Sequence, residues 1–121
     1  MAAPNLTNPT TITGKTTYVT LSSATETTLL SNAASSGKAL RVAHITATNT
    51  GSSPLTLTTR IYTAASAGTG YQIGTTLTIP VGAVLIVVGK ENPIWLEEDK
   101  RLTVQASASG IDVVCSYEEI S

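Results

Sequence analysis

Apolar and polar residues alternate with a period of two along most of this chain. Thr17, Val19 and Leu21 share one face of a first run, with Tyr18 and Thr20 on the other. Leu55, Leu57 and Ile61 alternate with Thr56, Thr58, Arg60 and Tyr62, the cleanest half-buried pattern in the sequence. Leu77, Ile79 and Val81 repeat it, as do Leu102, Val104 and Ala106, and then Ile111, Val113, Cys115 and Tyr117. A period of two places alternate side chains on opposite faces and predicts strands. Leu40 to Asn49 predicts a longer strand whose apolar face shifts between Val42 and Ala43, the mark of a bulge or of cover on both sides. Val84 to Val88 is continuously apolar, which predicts a strand buried on both faces. Ile94-Trp95-Leu96 is a short strand, and Pro80 puts its own strand at an edge or an end. Glu26 to Asn32 has no clean period and fits a strand or a short helix.

Turn residues separate these runs. Asn49 to Pro54, rich in Gly, Ser and Pro, predicts the tip of one hairpin, and Gly110 the tip of a second. The pattern is that of an all-β fold, an antiparallel β-sandwich or jelly roll of eight or nine short strands. Residues 15–121 form one such domain. Residues 1–14 read as an extended N-terminal arm, because Pro4 and Pro9 fix their own backbone and push their predecessors toward extended conformations. One core between two sheets is expected to hold Leu57, Ile61, Leu77, Ile79, Leu85, Val87, Leu102, Val104, Ile111 and Val113.

Composition sharpens this picture. A chain of 121 residues suits a single domain. Thr recurs in pairs, as at Thr16-Thr17, Thr58-Thr59 and Thr75-Thr76, and its β-branching suits pleated strands. There is no Phe and one Trp, so the core is aliphatic. Charged residues make up only 12% of the chain, a low share for a free protein and a natural one for a surface covered by neighbours. The seven basic residues are scattered, against a nucleic-acid partner. No apolar run is long enough for a membrane helix. The N-terminus lacks a basic segment followed by an apolar one, so the expectation is synthesis in a cytoplasm without a signal peptide.

The candidate chemistry is thin. His44 is the only histidine and lies mid-strand, so a structural or interface role is expected. Cys115 is the only cysteine and falls in an apolar register, which predicts a buried, inert thiol. Glu97, Glu98 and Asp99 read as a solvated turn, and Glu118 and Glu119 fall on opposite faces of the last strand. No cofactor, metal or catalytic residue is assigned. The surfaces singled out are for contact: Pro4, Leu6 and Pro9 on the arm, and Val84, Ile86 and Val88 on the outer face of the apolar strand.

Residues 79–121 carry a resemblance. The segments are Thr78-Ile79-Pro80-Val81-Gly82-Ala83, Asn92-Pro93-Ile94-Trp95-Leu96-Glu97-Glu98, Leu102-Thr103-Val104-Gln105-Ala106 and Cys115-Ser116-Tyr117-Glu118-Glu119-Ile120. They resemble small virion structural proteins of tailed bacteriophages, notably those infecting cyanobacteria. The pattern departs at Asp99-Lys100, where a Gly would be expected in the turn. The resemblance implies a non-enzymatic part of a virion, and a capsid decoration (cement) protein is the leading expectation. Its partners would be the major capsid protein or another virion protein, and its own copies in a homo-oligomer, expected to be a trimer. A tail, neck or fibre component is the alternative. A carbohydrate-binding module is a third reading, and it would require aromatic side chains coplanar on one sheet face.

Overall fold

The computed structural model describes residues 4–121. Met1, Ala2 and Ala3, the first part of the expected arm, lie outside the described residues. Nine strands form: β1 (Ile12–Leu21), β2 (Thr27–Asn32), β3 (Ala39–Asn49), β4 (Leu55–Tyr62), β5 (Gly70–Ile79), β6 (Val84–Val88), β7 (Ile94–Leu96), β8 (Lys100–Ala106) and β9 (Ile111–Ile120). Sheet I has the order β1-β9-β3-β6, with β7 also on β3, and sheet II the order β2-β8-β4-β5. All pairs are antiparallel. The pairing is nested: β4 with β5, β3 with β6, β2 with β8 and β1 with β9. The chain is therefore one long ribbon folded over on itself, so that β9 also meets β3 and β8 also meets β4. That is the jelly-roll form of the β-sandwich.

Only β4 and β5 are sequential neighbours in one sheet. The expected hairpins at Asn49–Pro54 and at Gly110 do not form. Both segments cross from one sheet to the other: β3 and β9 belong to sheet I, β4 and β8 to sheet II. The two crossings are tied together. Thr50 N–H donates to the Gly110 carbonyl at 2.7 Å, and Gly110 N–H donates to the Leu21 carbonyl at 3.0 Å. Gly110 has φ 126, and an added Cβ would lie 3.1 Å from the Gly51 backbone, so only glycine fits.

Bulges explain where the alternation blurred. Leu29 is the extra residue of β2, between Thr28 and Leu30, so both leucines turn inward and no period survives. Ala43 is the extra residue of β3, which keeps Val42 and Ile45 both on the core side. In the turn before β8, Asp99 itself takes φ 59, the left-handed conformation that Gly adopts most readily and Asp tolerates.

The core lies between the sheets. Leu57, Ile79, Leu102, Val104, Ile111 and Val113 are buried as expected, joined by Leu21, Leu40, Ile45 and Leu96. Ile61, Leu85 and Val87 are half-buried and pack against this cluster. Leu77 stays half-buried because β5 is an edge of sheet II.

Candidate docking surface on the outer face of sheet I

The outer face of sheet I carries a band of exposed apolar side chains. The register aligns Tyr18 of β1, Val114 of β9, Thr46 of β3 and Ile86 of β6 in one row across four strands. At the spacing of paired strands the row is about 14 Å long. Tyr18 is 76% exposed, Ile86 63% and Val114 39%, and Val84 in the next row is 59% exposed. Together they offer on the order of 300 Å² of apolar surface, in the range of the largest patch on a typical monomer, which is often functional. Polar residues rim the band. On one side Thr20 Oγ1 donates to Asp112 Oδ1 at 2.8 Å. On the other, Thr16 and Ser116 hydroxyls meet at 3.2 Å, with His44 opposite Ser116. An apolar centre with a hydrogen-bonded rim is the usual anatomy of a protein interface.

The contact residues expected from sequence do not form one site. Val84 and Ile86 lie in the band, but the strand is not buried on both faces: β6 is the edge of sheet I, with one face to the core and one to solvent. Val88 is only 1% exposed. The register on β3 slips between Ile86 and Val88, so Val87 is the extra residue and Val88 turns into the core opposite Ile45. The arm sits at the far end of the sheet. Nine residues of β3, or about 30 Å, separate Thr48, beside Val84, from Ala39, beside Ile120. There Leu6 is 52% exposed, while Pro4 and Pro9 are half-buried.

The arm is not extended throughout. Asn5 makes a turn: Thr7 N–H donates to Asn5 Oδ1 at 3.0 Å and Asn8 N–H to the Asn5 carbonyl at 3.2 Å. Thr10 and Thr11 are bound to the parent domain, their N–H groups donating to the Ser121 carbonyl at 2.6 and 3.0 Å. Sheet pairing then begins at Ile12, within the expected arm.

The outer face of sheet II is different in kind. Glu26 there accepts hydrogen bonds from Tyr62 at 2.8 and 2.9 Å, from Arg60 at 3.2 Å and from the Thr103 hydroxyl. Burial pushes its carboxyl up, but the bonds from Thr103, Tyr62 and Arg60 outweigh that and hold it below its ordinary value. The Arg101 guanidinium stacks 3.8 Å above the Tyr62 ring and donates to the Ala64 and Ala67 carbonyls. This face is a closed polar network with its bonding capacity used internally.

The remaining chemical candidates are scattered. Cys115 is fully buried, and burial pushes its thiol up to about 12. His44 is exposed on sheet I. Among the described residues no three His, Cys, Asp or Glu side chains cluster as a metal site. Tyr18 and Trp95 share the outer face of sheet I but lie on β1 and β7, several rows apart, while Tyr62 is stacked under Arg101 on sheet II. The coplanar aromatic platform that sugar binding would require is not formed by these residues.

Fold and surface define a jelly-roll domain with a polar network around Glu26 on one outer face and an apolar band with a polar rim on the other. No protein-family model and no curated protein matches the sequence. Solved structures do share the fold. A chain of the Bacillus endospore appendages, described as a family of disulfide-linked pili, superposes with TM-score 0.55 at 15% identity, over 92% of this chain and 88% of that one. A chain of infectious bursal disease virus, Gx strain, superposes with TM-score 0.50 at 14% identity, over 93% of this chain and 32% of the other. A chain of the cyanophage Pam1 capsid aligns over 99% of this chain and 91% of its own with TM-score 0.37 and 17% identity. At such identities the first two similarities establish the fold and nothing finer.

Proposed function

We propose that this chain is a non-enzymatic structural protein of a bacteriophage virion, a capsid decoration protein that docks on the head through the outer face of sheet I. The observation that carries the reading is the band of Tyr18, Val114, Ile86 and Val84, open to solvent on an otherwise well-packed domain. A cement protein gains by covering such a band at the junction of capsid subunits, since burying apolar surface yields roughly 25 cal/mol per Å². The resemblance of residues 79–121 to small virion proteins supports a phage particle as the place. The pilus-like relative suggests another assembly, but a thiol-linked one: here the single Cys115 is fully buried and has no thiol to offer a neighbour. The arm, with Pro4, Leu6 and Pro9, is a second contact at the other end of the domain, reaching an adjacent virion protein. The expectation of three copies came with the resemblance, and the apolar strand added only a reason for cover by a neighbour. With Val88 in the core, Val84 and Ile86 carry that reason.

Particles assembled without the chain and then mixed with it test this reading. The protein should co-sediment with heads and raise their resistance to heat, and Ile86→Glu should abolish binding without unfolding the domain. Binding to isolated tails instead of heads would make it a tail or neck component. Binding to neither, or undiminished binding by Ile86→Glu, would overturn the docking surface.

A further inference from the structure

Among the described residues the sandwich has five edge strands, β1, β6 and β7 on sheet I and β2 and β5 on sheet II. Free edges are templates for strand addition, and proteins blunt them with bulges, charges, prolines or short length. Four of the five are blunted. The register slips within β2, within β6 and twice along β5, β6 has only five residues, and β7 has only three. β1 is the exception. It pairs with β9 through ten consecutive residues without a slip and contains no proline.

The hydrogen-bond parity of β1 follows from its ends. Thr11 and Ser121 exchange both backbone bonds, each at 3.0 Å. In an antiparallel ladder the residues that face the partner then alternate. Thr13, Lys15, Thr17 and Val19 therefore bond to β9. Ile12, Gly14, Thr16, Tyr18 and Thr20 direct their N–H and C=O groups away from the sheet. None of these five is charged. The one charge on the strand, Lys15, is held by Glu119 at 3.1 Å.

We propose that β1 pairs antiparallel with β1 of a second copy, merging the two copies of sheet I into one continuous sheet. A strand that zips along this edge must itself be free and unbroken. On a second copy only β1 meets that condition, because β2, β5 and β6 are each interrupted and β7 is three residues long. Like edges meeting in antiparallel fashion are related by a two-fold axis perpendicular to the sheet. Such an axis keeps both outer faces on the same side and brings outward-bonding residues opposite one another, as the parity requires. The contact is isologous and closes at two copies. The residues that meet across the axis carry no charge, and the one charge on the strand, Lys15, shares the Glu119 carboxylate with Lys38. The pairing does not depend on the virion reading and would hold for the purified chain.

Analytical ultracentrifugation of the full chain, with amide exchange followed by NMR, tests the pairing. We expect a dimer at millimolar concentration, with the Thr16 and Tyr18 amides exchanging at least about tenfold more slowly than at micromolar concentration, where the monomer prevails. Thr16→Pro removes an N–H that points off the sheet, which an edge strand tolerates. It should give a folded monomer. A monomer at every concentration would overturn the proposal. So would a dimer whose Thr16 and Tyr18 amides exchange rapidly, since its contact would lie elsewhere. Should Thr16→Pro not fold, the exchange measurement on the unaltered chain still decides.

Discussion

Asn49 is the side chain on which both ends of the crossing between sheets depend, and replacing it should be among the costliest single changes in the domain. It is fully buried at the end of β3. Its Nδ2 donates to the Ile79 carbonyl at 2.8 Å and the Ser53 carbonyl at 2.9 Å, and its Oδ1 accepts from Gly51 N–H at 2.9 Å. One amide thus joins β3, the turn that leaves it and the end of β5. Asn49→Asp keeps the shape but turns an oxygen toward two carbonyl oxygens. The oxygen that accepts from Gly51 N–H is kept, but losing the two bonds donated by Nδ2 at about 1 kcal/mol each, and stranding at least one buried carbonyl at about 1–3 kcal/mol, gives roughly 3–5 kcal/mol. Urea unfolding reads this directly. With a slope of ~1–3 kcal/mol per molar for a small domain, the midpoint should fall by about 1 M or more. Asn8→Ala, in the exposed turn of the arm, should leave the midpoint in place. A shift below about 1 kcal/mol for Asn49→Asp would show that the crossing is held by its backbone bonds alone and that this reasoning is wrong.

Other outcomes follow from the same structure. The folded-state pKa of Glu26 is depressed, so its contribution to stability is present above the ordinary value of 4.5 and is lost as pH falls through the lower folded value; Glu26→Gln should flatten the acid limb of a melting-temperature profile, and an unchanged limb would assign the acid loss to Glu119. Cys115 should ignore a thiol reagent at neutral pH until denaturant is added, and rapid labelling of the native chain would contradict its raised pKa of about 12. A Cβ on Gly70 would lie 2.8 Å from the Tyr62 ring, so Gly70→Ala should displace that ring from Glu26 and lower the melting temperature, whereas an unaltered Tyr62 environment by fluorescence or NMR would refute the close fit.

Much of the fold was legible because a period of two reports which face a residue occupies. Leu57, Val104 and Val113 could be assigned to the core on that ground alone. Periodicity does not report which strand is the neighbour. Asn49–Pro54 and Gly110 carry genuine turn residues, and nothing local distinguishes a turn within a sheet from a crossing between sheets. Bulges hid the rest: one extra residue at Leu29 erased the signature of β2, and one at Val87 reversed the direction of Val88. Of the docking band, Val84 and Ile86 were singled out, while Tyr18 and Val114 were missed for a different reason. Tyr18, Val114 and Ile86 lie on three strands far apart in sequence, and only the sheet order sets them in a row. Each does break the alternation of its own strand with an apolar side chain on the solvent side, and that was the available signal.

The position of β9 governs when this protein can be made. The last strand lies between β1 and β3, at the centre of sheet I. Until residues 111–120 have left the ribosome, β1 has no partner, and β3 has only β6 and β7. Sheet I therefore assembles only once β9 is available, through loop closures of about a hundred residues that slow folding. During that interval β1 stands with both edges bare. Loss of residues 111–121 should send the product to aggregation or proteolysis instead of yielding a shortened domain.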